Sequence, residues 1–297
     1  MGVSFVIPVY NKAPYLPGVL AALRAQAGDF ERQFVFVDDG STDGSFDIVR
    51  RLTAGWENVA LHAQENRGSA NATNRGVALA SMPYVKFLDA DDLLARDATR
   101  VLLAALEADA DACLAFGAAV RYAEGEAVDL DAPLPRPAAE RVPDGLRQAL
   151  RNSLFNPTQF LARTECVRAV GGCDERIVHS QEYSLTLRLA RRWPMLRVRA
   201  PVAYLPERVP GSLGSDTGRQ LRRVTLACAH FLRDHPDTEP GLQRFACRRA
   251  AGRAWKYTRR QHDAGLLSGW FWRHMRSRVP FGLRPPEFIE GCAEAFG

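Results

Sequence analysis

Tyr84-Val85-Lys86-Phe87-Leu88-Asp89-Ala90-Asp91-Asp92 is a mostly apolar run that ends in three carboxylates. The apolar part predicts a strand buried in a sheet. Carboxylates at the exit of such a strand are costly to desolvate unless something neutralises them. A divalent cation does so, and Mg2+ or Mn2+ takes carboxylate oxygens readily. In open α/β sheets, ligands bind beyond the carboxyl ends of the strands. The stretch therefore predicts a metal site at a strand end, facing a phosphorylated substrate. The plainer alternative is a polar loop that caps a helix.

Upstream the same pattern recurs. Residues 34–37 form a second buried strand that runs into Asp38-Asp39-Gly40-Ser41-Thr42-Asp43-Gly44-Ser45. Ser41 or Thr42 is expected to cap the next helix, which carries Phe46, Ile48, Val49 and Leu52. Residues 3–9 and 59–63 read as two further strands. Leu16, Val19, Leu20 and Leu23 are spaced as on one helix face, and residues 69–80 form an Ala-rich helix after the turn Asn66-Arg67-Gly68. Strands alternating with helices of this length predict βαβ units and a parallel sheet. Two acidic strand exits on one sheet edge favour the ligand site over the capping loop.

Composition narrows the class. Hydrophobic content of 46% and charged content of 25% in 297 residues fit a soluble globular protein. The net charge of +5 suits an anionic ligand or an anionic membrane surface. The six cysteines show no Cys-x-x-Cys pair and no zinc spacing. With no secretory leader they read as reduced cytosolic thiols. No run reaches transmembrane length. The expected location is the cytoplasm, with peripheral contact to the inner face of the plasma membrane as the furthest excursion.

Further motifs carry a resemblance. Val6-Ile7-Pro8-Val9-Tyr10-Asn11, Val37-Asp38-Asp39-Gly40-Ser41-Thr42-Asp43-Gly44, Asn66-Arg67-Gly68, Ala72-x-Asn74-Arg75-Gly76 and Phe87-Leu88-Asp89-Ala90-Asp91-Asp92 follow in this order. Each is weak alone; together, at these spacings, they make the chain resemble a non-processive, bacterial-type family 2 glycosyltransferase over residues 3–189. The resemblance implies the GT-A fold, a Rossmann-like, mostly parallel sheet flanked by helices. It also implies a nucleotide-sugar donor, with uracil the usual base, and a divalent metal. By position, Pro8 and Tyr10 would pack the donor base, and Asp39 would hydrogen-bond it. Asp89 would hold the ribose or the water shell of the metal, and Asp91 would coordinate the metal. Asp92 is expected to be structural. Arg67 would lie near the donor cleft, its plain alternative being a surface salt bridge; Asn74 and Arg75 read equally as the polar face of a helix.

The middle of the chain carries the departures. Residues 129–143 read as an irregular excursion, in a place where the family varies with its acceptor. Gly171-Gly172-Cys173-Asp174-Glu175 has Cys173 where relatives have an aromatic residue. Gln181-Glu182 stands where relatives show Glu-Asp, whose Asp is the catalytic base. The resemblance therefore puts the base at Glu182, one methylene longer, and a displacement of about 1 Å can cost about a hundredfold in rate. The ordinary alternative for Glu182 is a carboxylate satisfied by a helix N-terminus; His179 is a second candidate base. Leu189 replaces the Gln of the Gln-x-x-Arg-Trp motif of processive members, which implies single additions. Arg208 and Ser212 lie in a stretch resembling the loop near the diphosphate.

Residues 198–204 are expected to form an edge strand, 219–233 a helix, and 284 onward an irregular tail. Residues 1–215 read as the catalytic domain, with a donor half (1–92) and an acceptor half (93–215); residues 216–297 read as a helical, basic C-terminal region. Arginines there alternate with Trp255, Tyr257, Trp270, Phe271 and Trp272. Such a mixture suits an anionic membrane surface where lipid-linked acceptors are met, or ordinary packing of aromatics onto the catalytic body. No nucleic-acid motif accompanies it. The implied function is an inverting, metal-dependent transfer from a nucleotide-sugar, with UDP-sugar preferred, to a hydroxyl of a glycan, glycolipid or other surface-polysaccharide acceptor. The rival is a non-catalytic nucleotide- or carbohydrate-binding protein on the same domain. A nucleotidyltransferase lacks support, because no Gly-rich phosphate loop with a Lys follows the first strand.

Overall fold

The structure, a computed structural model, describes residues 1–134, 138–177, 181–207, 209, 216–279 and 282–297. The first half alternates as expected: β1 (Gly2–Val9), α1 (Leu16–Arg24), β2 (Glu31–Asp38), α2 (Ser45–Leu52), β3 (Val59–Ala63), α3 (Ser69–Leu79) and β4 (Tyr84–Phe87). The short β5 (Leu93–Leu94), then α4 (Ala98–Ala108) and β6 (Leu114–Tyr122), lead into the excursion, within which β7 (Ala139–Arg141) pairs with a later strand. α5 (Gly145–Arg151), β8 (Phe160–Arg163), α6 (Thr164–Ala169), α7 (Gln181–Arg192) and β9 (Met195–Pro206) complete the sheet region. Four helices close the chain: α8 (Thr217–Asp234), α9 (Pro240–Gln261), α10 (Gly269–Arg276) and α11 (Pro285–Cys292).

The strands form one sheet in the order β3-β2-β1-β4-β8-β6-β9-β5, with β7 also on β9. β3, β2, β1 and β4 are mutually parallel, so their carboxyl ends share one edge. The second half is mixed: β8 runs antiparallel to β4 and β6, while β6 and β9 are parallel.

Side-chain alternation along β1 explains the layers. Phe5, Ile7 and Val9 join Leu16, Leu20, Val49 and Leu102 of α1, α2 and α4 in one core. Val6, between them, joins Val35, Val37 and residues of α3, α6 and α7 on the opposite face. Gly76 sets how closely α3 approaches β1: a Cβ there would lie 2.3 Å from Val6 Cγ1. A third core unites the C-terminal helices with α5 and α7. α7 serves two cores at once, since Leu185 and Leu189 face the sheet while Tyr183 and Leu187 face the C-terminal helices.

Three expectations are corrected. β9 is not an edge strand, because β6 flanks it on one side and β5 and β7 on the other. The tail after Arg284 is helical: Pro285 and Pro286 occupy the first turn of α11, where a missing N–H costs nothing. Neither Ser41 nor Thr42 caps α2, whose N-cap is the left-handed Gly44; both are turned toward Asn11 instead.

Candidate active site

Two loops at the carboxyl edge of the sheet are stapled together. The Asn11 backbone N–H donates to Ser41 Oγ at 3.1 Å, and the Thr42 N–H donates to Asn11 Oδ1 at 2.8 Å. The Ala13 N–H donates to Asp43 Oδ2 at 2.9 Å, and Ser45 Oγ donates to Asp43 Oδ1 at 2.6 Å. Burial pushes the Asp43 carboxyl up, but these donors outweigh it and leave its pKa lowered. The Lys12 N–H donates to Ser45 Oγ at 2.8 Å. The staple thus fixes the backbone from which the Lys12 side chain reaches Asp91, with Nζ 2.5 Å from Oδ2.

Behind Asp91 the acidic exit of β4 is held from inside the sheet. Thr158 Oγ1 accepts from the Asp89 N–H at 3.1 Å and donates to Asp92 Oδ2 at 2.6 Å. Thr158 lies in a short 3-10 turn pinned by Gln159, whose Oε1 accepts from the Asn156 N–H and whose Nε2 donates to the Gly117 carbonyl. Lys86 is wholly buried and donates to the carbonyls of Phe87 and Thr158. Burial brings the Lys86 ammonium down to about 7, against the pull of Asp92 and Asp89. Burial and the neighbouring Asp91 raise Asp92 to about 7. Burial, then Asp92, Asp91 and Glu182, raise Asp89 well above the carboxylate range. Asp92 is structural, as expected. Its work is to bond Thr158, while the N-cap of α4 falls to Asp97.

Asp39 organises the next loop. Its Oδ1 accepts from Gln64 Nε2 and the Arg67 N–H, each at 2.9 Å, and its Oδ2 accepts from the Gly68 N–H at 2.8 Å. A carboxylate offers about four acceptor positions, so one on Oδ2 remains. The Arg67 side chain is exposed and makes no ion pair among the described residues. Tyr10 is exposed beside it in sequence space only; its ring stands at the end of β1, 47% exposed.

Glu182 opens α7 on the far side. The turn before it is clamped to α3 by Asn74, which accepts from the Cys173 N–H at 2.7 Å and donates to the Cys173 carbonyl at 3.0 Å and to Glu175 Oε1 at 2.8 Å. Gly172 (φ 68) is required there, since a Cβ would lie 2.3 Å from Asn74 Oδ1. Burial pushes Glu182 up to about 7, while the N–H groups of Glu182 and Tyr183 at the helix N-terminus pull it down. Burial wins over the helix dipole. Pro8, Asp89 and Glu182 line one cavity together with Phe87, Leu88 and Cys173.

The structure therefore brings Pro8, Asp89 and Glu182 together, with Asp91 two residues beyond Asp89. Arg208, Ser212 and His179 lie outside the described residues. Lys12, Lys86, Thr158 and Asn74 emerge from the structure as site-forming residues. Only Asn74 had a local signal, in its spacing before Gly76; Thr158 meets Asp92 across 66 residues.

Residues 4–169 match the family described as Glycosyl transferase family 2. Over 97 residues the chain is 31% identical to a poly-beta-1,6-N-acetyl-D-glucosamine synthase of Staphylococcus aureus, covering 33% of this chain and 23% of that protein. It is 37% identical over 97 residues to an uncharacterized glycosyltransferase of Haemophilus influenzae, covering 32% of this chain and 38% of that protein. The matched region thus spans well under half the length of these curated relatives. Among solved structures, S. aureus TarS 1-349 in complex with UDP-GlcNAc superposes with a TM-score of 0.68 at 18% identity, covering 93% of this chain and 79% of TarS 1-349. Mannosyltransferase PcManGT from Pyrobaculum calidifontis, in complex with GDP-Man and Mn2+, superposes with a TM-score of 0.60 at 19% identity, covering 99% and 84%. These two likenesses bear on the fold, the GT-A architecture.

Proposed function

Because the chain belongs to glycosyl transferase family 2, we propose that it moves a sugar from a nucleotide-sugar to an acceptor hydroxyl, with inversion at the anomeric carbon. The donor in this reading is a UDP-sugar, and the acceptor is a glycan, glycolipid or other surface-polysaccharide hydroxyl. The observation that carries it is the shared cavity of Asp89 and Glu182, which sets a carboxylate on α7 opposite the acidic exit of β4. The remaining acceptor position of Asp39 suits a ring N–H of the base, with Pro8 and Tyr10 packing beside it. Arg67, Arg208 and Ser212 are assigned to the diphosphate. TarS and the mannosyltransferase hold nucleotide-sugars, and the latter also holds Mn2+.

The residues fit a divalent metal. Asp89, Asp91 and Asp92 crowd hard oxygen donors so closely that they raise one another. No group of three or more His, Cys, Asp and Glu among the described residues is arranged to hold an ion. Mg2+ typically takes one or two carboxylates and completes its shell from phosphates and water. Asp91, with Asp89 behind it, would supply the protein's share. When bound, the cation neutralises the departing nucleoside diphosphate. Glu182 accepts the proton of the acceptor hydroxyl as its oxygen bonds to the anomeric carbon. The bond from that carbon to the phosphate oxygen breaks on the opposite face. The apolar wall of Phe87, Leu88 and Leu185 keeps Glu182 basic enough to do this near neutral pH.

Residues 1–92 act in this reading as the donor half, 93–215 as the acceptor half, and 216–297 as a basic region on the inner face of the plasma membrane. Release of nucleoside diphosphate from a panel of UDP- and GDP-sugars, with Mn2+ and acceptor glycans, tests the assignment. Glu182→Gln should bind UDP and Mn2+ as the wild type does and lose about 10² to 10⁴ in turnover. Asp91→Asn should lose metal-dependent UDP binding with its fold unchanged. Wild-type turnover by Glu182→Gln would overturn the base, and nucleotide binding without turnover by the wild type would favour the non-catalytic binding protein.

A further inference from the structure

α10 has no buried residue, yet one of its faces is apolar and points away from the protein. Three contacts fix which face that is. Phe271 and His274 pack on Trp255 of α9, with ring centroids 5.1 and 5.3 Å away, and Arg273 donates to the Phe288 carbonyl at 3.1 Å. Trp272 and Met275 are left on the outer side. The Arg278 N–H to Met275 carbonyl and Val279 N–H to Arg276 carbonyl bonds carry the turn onward. Trp272, Met275 and Val279 therefore stand at i, i+3 and i+7, one stripe along a helix. Their exposures are 60%, 38% and 47%. Leu266 and Leu267, in the turn before α10, are exposed by 64% and 93%. Five large apolar side chains gathered over fourteen residues form a ridge of the kind that a soluble monomer rarely leaves bare.

Cations surround the ridge. Between Arg244 and Val279 the sequence holds ten Lys or Arg and a single acid, Asp263. Lys256, Arg259, Arg260, Arg276 and Arg278 are exposed. Among the described residues, none of these five belongs to an ion pair. We propose that this ridge, Leu266-Leu267 together with the outer face of α10, inserts into the interface of an anionic lipid bilayer while the flanking arginines hold the headgroups. Leu and Met enter the acyl boundary, and Trp272 takes the headgroup level that indole rings prefer. Basic residues near an anionic leaflet add attraction that falls off within a Debye length. A second copy of the chain fits poorly, because pairing two ridges would bring their cations together. Single-stranded nucleic acid fits poorly too: it needs stacking rings, and four of the five ridge residues are aliphatic. This inference deepens the membrane contact proposed above and rests on no catalytic assignment.

Flotation of the full chain with vesicles is the test, using phosphatidylcholine alone and phosphatidylcholine mixed with phosphatidylserine, at low and high salt. The wild type should float with the anionic vesicles and less so at high salt. Leu267→Ser combined with Trp272→Ser should lower the bound fraction about tenfold or more, as expected when exposed apolar side chains lose their burial in lipid. Its melting temperature and UDP binding should stay at wild-type values, because both side chains are exposed. If the wild type floats with neither vesicle, membrane contact as a whole fails. If the wild type floats and the double variant floats equally, the ridge fails while contact through another surface stands. A wild type that is dimeric in solution beside a monomeric double variant would overturn the proposal in favour of a second copy.

Discussion

Asp91 meets the Lys12 ammonium before it meets any cation from solution. The pair is partly buried, with side-chain exposures of 21% and 16%, so it is screened less than a surface pair. Lys12→Met should therefore tighten Mn2+ binding in the absence of nucleotide, by roughly tenfold for about 1.4 kcal/mol of lost competition. Titration of free Mn2+ by electron paramagnetic resonance reads this directly, and unchanged affinity would mean that Lys12 does not guard Asp91. Glu182 sets a second condition. Its pKa is pushed up to about 7 by burial, and a base works only when deprotonated. Activity should therefore fall as pH drops below about 7 and level off above it, with the limb moved to lower pH by the charge of a bound cation. A kcat/KM profile flat from pH 5 to 9 would count against Glu182, as roughly two decades of change are expected across that span. At this scale the carboxylates were legible in the sequence, because an acid at the end of an apolar strand is anomalous by itself. Lys12 and Lys86 were not. A lysine carries no sign of whether it is buried, and the partners of both come from other segments of the chain.

α3 carries two contacts that fix its place. On one side Gly76 meets Val6, and on another Asn74 clamps the turn that leads to Glu182. Gly76→Ala should destabilise by about 1–3 kcal/mol, the usual cost of overpacking. Val6→Ala in the same chain should return part of that loss, because it removes the methyl groups that clash. Thermal denaturation of the two single variants and the double variant measures the coupling, and additive losses would show that the close approach is not the cause. Elements with a clear period were legible: α1, α3, β1 and β2 follow from alternation or helical spacing. β9 and α11 were misjudged for separate reasons. The partners of β9 are too distant to read locally, and Pro285-Pro286 was taken as a stop where it serves as a helix start.

All six cysteines are free and buried, in cores spread over the whole molecule. A thiol reagent should accordingly label none of them in the native protein and all six after denaturation. Rapid labelling of one thiol under native conditions would expose a core that opens locally. The overall architecture was legible because strand and helix alternate, and because strand exits carry the acids. The union of α7 with the C-terminal helices was not legible, since a helix with two apolar faces reads simply as buried. That union bears on how such enzymes diversify. Exchanging residues 216–297 for those of a relative is not the swap of an accessory. The incoming helices would have to offer Tyr183 and Leu187 a matching hollow, because Glu182 is the next residue along. A seam that cuts this chain at residue 216 divides the support of the carboxylate from the carboxylate itself, so lineages that exchange acceptor preference by shuffling would have to carry α7 with its backing helices as one heritable block.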